Sequence, residues 1–146
     1  MEGQPRLAGV GSRAAAVLVD GALVFVGLGL VVGSISGQTY SGGGSHGFRL
    51  HGGASVAWLL LAYLYWIVLE AVWGTTVGKR LLNLRVVDEA GGAISWGQSA
   101  GRNLLRLVDG FPYVLPYLVG GVLAVGDDRK RRLGDRAAHT LVVYRD

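Results

Sequence analysis

RAAAVLVDGALVFVGLGLVVG, Arg13 to Gly33, is apolar or glycine throughout except for Arg13 at its entrance and Asp20 inside it. As a helix it is long enough to cross a hydrocarbon core, which takes about 20 residues. An aspartate at membrane depth costs about 2.5 to 3.5 kcal/mol on the mildest insertion scales, so Asp20 needs a partner, water or a proton. Arg13 and Asp20 lie two turns apart on one face, about 10 Å along the axis, which is too far for direct contact unless the Arg stem reaches inward. The Arg13 stem is therefore expected to snorkel at the membrane surface.

The rest of the 146-residue chain supports a membrane reading. With 51% hydrophobic and 16% charged residues, it concentrates its apolar content in long runs. One domain is expected. Cysteine is absent, which excludes disulfides, thiolate nucleophiles and Cys-based metal sites. The first run is too long for a signal peptide and is interrupted by Asp20, so it reads as a retained helix.

Residues 1–11 read as a frayed polar tail, with Ser12 as helix N-cap and a first span over 12–33. Gly29 and Gly33 are a small-xxx-small pair suited to close helix packing. The Gly/Ser-rich connector 34–53 reads as a flexible loop. Its His46 and His51 lack nearby carboxylates or thiolates, so no metal is expected there. A second span over 54–73 carries Trp58, Tyr63, Tyr65, Trp66 and Trp73 as interfacial anchors. Its single charge, Glu70, lies near the exit, within reach of Lys79 or Arg80, and reads as an interface pair.

Gly74-Thr75-Thr76-Val77-Gly78-Lys79-Arg80 superficially resembles a phosphate loop. It lacks the earlier Gly and the Ser or Thr after Lys, and it follows a span instead of a strand. It reads as a helix stop followed by basic residues. A hairpin is expected over 81–95 around the turn cluster Asp88 to Gly92, with Thr140 to Tyr144 as a further pairing strand. Ser95 and Gln98 form a capping box for a helix from Trp96. On that helix Arg102, Arg106 and Asp109 share one face. Pro112 and Pro116 then break regularity before the apolar run Tyr113 to Val125, so 96–125 reads as a broken membrane helix pair and 126–146 as a tail.

The basic residues Arg6, Arg13, Lys79, Arg80 and Arg85 place both termini and the hairpin in the cytoplasm of a multi-pass cell-membrane protein. A third full span would export the cluster Arg129 to Arg132, so a re-entrant pair is preferred. The expected class is an all-α integral membrane protein with two transmembrane helices, a re-entrant or third broken helix, and a small cytoplasmic β-hairpin.

The motifs Arg13 to Asp20, Gly74 to Lys79, Arg102-Asn103-Leu104-Leu105-Arg106-Leu107-Val108-Asp109 and Arg132 to Val143 occur in an order that resembles the RDD family of small bacterial and archaeal membrane proteins. The resemblance covers nearly the whole chain. His139 departs from it, standing where glycine is expected. By resemblance Arg13 is the family's Arg and Asp20 its first Asp. The second is Asp109, with Asp135 as the alternative. The family is associated with transport of unidentified ligands, cation or proton exchange among them.

Two functions follow. In the first, Asp20 and Asp109, with Arg13, Arg102 and Arg106, bind a cation or proton as a component of transport. Burial raises carboxylate pKa and a nearby Arg lowers it. Two spans enclose little, so this requires a homo-oligomer or a partner membrane subunit. In the second, the same groups form the structural network of a non-transporting scaffold or accessory subunit, with Arg102 or Arg106 the better partner for Asp20. Glu70 and Asp135 are secondary candidates. Enzymatic work is not expected, because no nucleophile stands beside a base and no cofactor loop is present. The expected partner is the lipid bilayer, not nucleic acid.

Overall fold

The computed structural model describes residues 6–106, 122 and 124–145. Two helices dominate, α1 (Val10–Ser36) and α2 (Gly53–Trp73), both long and apolar enough to cross a membrane. Only 28% and 11% of their most apolar windows is buried within the protein, so their greasy faces point outward. That is the arrangement of lipid-facing helices rather than of a soluble core.

α1 begins earlier and ends later than expected. Gly9 is its N-cap, and the Ser12 hydroxyl instead donates to the Gly9 carbonyl at 2.9 Å. Leu23–Leu28 is π-helical. Such a segment displaces the regular ladder, and the Trp58 indole N–H approaches the Val24 carbonyl there at 3.4 Å. The helix stops at Gly37, whose φ of 69° is left-handed.

The connector after α1 is not a flexible loop. Strands β1 (Thr39–Gly42) and β2 (Ser45–Phe48) pair antiparallel, Thr39 opposite Phe48 and Gly42 opposite Ser45. The two turn residues, Gly43 and Gly44, both have positive φ, as a two-residue hairpin turn requires. Phe48 lies so close to Gly29 and Gly33 that a Cβ at either would overlap it. Those glycines therefore seat the hairpin's ring, not another helix.

α2 stops at Gly74 (φ 64°), as its sequence indicates. The short helix α3 (Val77–Leu81) follows, with Thr76 as N-cap. Strand β3 (Leu84–Asp88) then leads into the Asp88 to Gly92 turn, closed by the Gly92 N–H donating to Asp88 Oδ1 at 2.6 Å. The expected hairpin over 81–95 is corrected here. β3 pairs antiparallel with the distant β4 (Thr140–Tyr144), Val86 opposite Val142. Of the tail read as frayed, the described residues before α1 are held: Leu7 bridges Val143, and the Ala8 N–H donates to the Val142 carbonyl at 2.9 Å. Ala8, Ala16, Leu84, Val86, Ile94 and Val142 form the small apolar core beneath this sheet. Two two-stranded sheets beside the helices correct the all-α expectation.

α4 (Trp96–Leu104) starts at the Ser95/Gln98 capping box, and the Ser99 hydroxyl donates to the Ile67 carbonyl at 2.7 Å, fastening it to α2. α5 (Leu133–Ala137) packs Gly134 against the Arg102 backbone too closely for any side chain. His139 then takes φ 52°, which accounts for the glycine expected there. The remainder of the predicted broken helix pair, and the full extent of any re-entrant turn, lies outside the described residues.

Candidate functional site

Near the Trp73 end of α2, five helices and strand β4 contribute charged or hydrogen-bonding side chains to one buried cluster. Its centre is Glu70, in the last turn of α2 and fully buried. The Gly74 stop turns the chain so that Lys79 on α3 returns over it, Nζ to Oε1 at 2.5 Å. From α4, Arg102 Nε reaches Oε2 at 3.2 Å and the Asn103 amide donates to the same oxygen at 2.9 Å. Arg106 Nη2 stands 3.9 Å from Oε1. A pair with Lys79 or Arg80 was expected, and Lys79 is the partner. The pair's location was not expected, because the carboxylate is sealed from water instead of reaching it at a span end.

Arg102 bridges to a second buried carboxylate, Asp135 of α5, Nη2 to Oδ1 at 2.9 Å. It also donates to Thr140 of β4 at 3.3 Å. Asp135 accepts from Arg13 of α1 through its other oxygen and from the Arg132 N–H at 3.2 Å. Arg13 donates in addition to the Lys130 carbonyl. Arg13 is thus not a surface residue with a snorkelling stem; it is 7% exposed and closes the network. Burial pushes the Asp135 carboxyl up, but Arg102, Arg13 and Arg132 together override it and hold it well below the usual carboxylate range. On the other carboxylate's side, burial pulls the Lys79 ammonium down to about 8 despite Glu70.

Asp20 stands apart from these charges. It is 1% exposed, and neither Arg102 nor Arg106 is its partner. It accepts from the Tyr65 hydroxyl at 2.7 Å, the Thr76 hydroxyl at 2.5 Å and the Gly78 N–H at 2.8 Å. Gly78 is glycine because a Cβ would overlap the Ala16 carbonyl, so α3 presses directly onto α1. A carboxylate at the N-terminus of a short helix completes its free N–H groups, a capping role carried out from another element.

Of the residues singled out from sequence, Arg13, Arg102, Arg106, Glu70 and Asp135 converge, Asp20 forms a neighbouring site, and Asp109 lies outside the described residues. Sequence reasoning missed Tyr65, Thr76, Asn103 and Thr140. Thr76 was the most accessible of these, since an N-cap before a Gly-containing turn has a hydroxyl facing a helix end. Among the described residues no group of three or more His, Cys, Asp or Glu has metal-site geometry.

The sequence profile of the RDD family matches residues 7–139. The uncharacterized protein YxaI of Bacillus subtilis (strain 168) is 32% identical over 88 residues, 60% of this chain and 55% of that protein. The chain thus covers little more than half the length of this relative. No solved structure matches.

Proposed function

Because the chain belongs to the RDD family of membrane proteins, we propose that it is a membrane scaffold or accessory subunit whose Arg/Asp/Glu network locks two membrane helices to a folded sheet module. The observation that carries this reading is Arg102 joining Glu70 and Asp135, both essentially inaccessible, so that α1, α2, α3, α4 and α5 meet in one closed cluster. A conduction site needs groups that exchange partners with water. Here each carboxylate is saturated by fixed donors, the arrangement of a structural clamp. The basic residues flanking α1 and α2 favour both termini and the sheet module on the cytoplasmic side of the cell membrane. The outward apolar faces are available to lipid and to further copies or partner helices.

Transport of a cation or proton is the second reading, favoured by one observation: Asp20 sits within the first span, held by Tyr65 and Thr76 hydroxyls beside the π-helical segment. Reconstitution separates the two. In proteoliposomes under a proton or sodium gradient, the scaffold reading expects the wild type and Asp20→Asn to leak equally slowly. Gradient-driven flux that Asp20→Asn abolishes, with folding intact, would replace it with transport.

A further inference from the structure

Among the described residues the network carries more positive than negative charge. Arg13, Lys79, Arg102, Arg106 and Arg132 surround Glu70 and Asp135, while Asp20 is engaged elsewhere by Tyr65, Thr76 and Gly78. Buried charge is tolerated when paired and hydrogen-bonded, and Arg13, Lys79 and Arg102 meet that condition. Arg106 does not. It is 6% exposed, its Nη2 is 3.9 Å from Glu70, and among the described residues none of its Nε, Nη1 and Nη2 atoms has a hydrogen-bond acceptor. Its guanidinium lies over the Trp66 ring, 4.7 Å from the centroid, and the buried Trp66 indole N–H likewise has no acceptor.

We propose that Arg106, backed by Trp66 and Lys79, forms a binding site for a phosphate-bearing anion. The donor set suits that chemistry: a planar guanidinium fork matches an oxyanion in two-point geometry, and an indole N–H adds a further donor. A carboxylate presents only two oxygens to such a set, whereas a phosphate presents three or four. Trp66 and Glu70 occupy the last two turns of α2, and aromatic rings near span ends mark the headgroup level where lipid phosphates lie. Free phosphate and an anionic phospholipid headgroup share the required chemistry. The site is independent of the scaffold reading, since a clamp made by Arg13, Arg102 and Lys79 functions with or without an anion at Arg106.

The test uses the full chain in phosphatidylcholine nanodiscs and follows tryptophan emission and the unfolding midpoint. One arm titrates inorganic phosphate against chloride at matched ionic strength, and the other replaces part of the lipid by phosphatidylglycerol. A saturable response in the phosphate arm identifies a free oxyanion ligand, and one confined to the lipid arm identifies a headgroup. In the responding arm Arg106→Gln weakens apparent affinity about tenfold or more, the loss of at least one charge-assisted hydrogen bond. Arg106→Lys keeps the charge, and hence the fold, but loses the fork and also weakens binding. Trp66→Phe retains the ring and removes the N–H, with a smaller loss. Absence of a saturable response in both arms overturns the proposal, as does wild-type affinity in folded Arg106→Lys.

Discussion

The two ends of the α1/α2 pair are joined by opposite means. At the hairpin end, Phe48 rests on Gly29 and Gly33 and touches Phe25, 6.0 Å between ring centroids, while Phe25 meets Trp58 at 5.4 Å. At the Trp73 end, carboxylates and cations from five helices close over one another. Aromatic packing is tolerant of substitution because volume can be redistributed. A buried ionic cluster is not, since removal of one member strands the rest without water. The contrast assigns alignment of the helices to the charged end and coverage to the hairpin end.

The largest expected effect is therefore at Asp135. Asp135→Ala takes from Arg13 its carboxylate partner and from Arg102 one of its two, and should destabilise the protein by about 3 to 5 kcal/mol, read as the unfolding midpoint in detergent. At the other end Phe48→Ala should cost about 1 to 3 kcal/mol, because the ring is only half buried and the hairpin can settle. Equal costs would erase the contrast. Gly78→Ala, which forces α3 away from the Ala16 carbonyl, should cost about 1 to 3 kcal/mol and weaken the Asp20 contacts, visible as faster amide exchange in α3.

Acid should also separate the ends. The Asp135 carboxyl is held below its unfolded value, so its contribution is complete above about pH 4 and is lost as pH falls toward its folded value. Amide protection in β4 and α5, corrected for the intrinsic pH dependence of exchange, should fall on acidification below about pH 4, while that of β1 and β2 remains unchanged. Uniform loss at both ends would contradict the assignment. The smallest effect is His139→Gly, which relieves a left-handed backbone and should stabilise by up to about 1 kcal/mol.

Local chemistry was readable from the sequence. Each span is one continuous apolar run, and the Gly74 stop, the Ser95/Gln98 cap and the Glu70–Lys79 pair each depend on residues close together in sequence. Arg13 and Asp135 are 122 positions apart, and helical-face arithmetic relates only residues on one helix. For that reason Asp20 was matched to the Arg residues at hand, although its actual partners are hydroxyls and a backbone N–H. The β1/β2 hairpin was legible in Gly43-Gly44 flanked by Tyr40 and Phe48, but glycine content obscured it. The family's second Asp had two candidates, and the one within the described residues, Asp135, is the partner of Arg13.

The most direct measurement of the central claim is a double-mutant cycle on Arg13 and Asp135. Stabilities of Arg13→Gln, Asp135→Asn and the double variant are compared with wild type by unfolding in one detergent. A structural clamp predicts a double variant more stable than the sum of the single losses by about 1 to 3 kcal/mol. Additive losses would mean that the two residues act separately, and the network would no longer account for the fold.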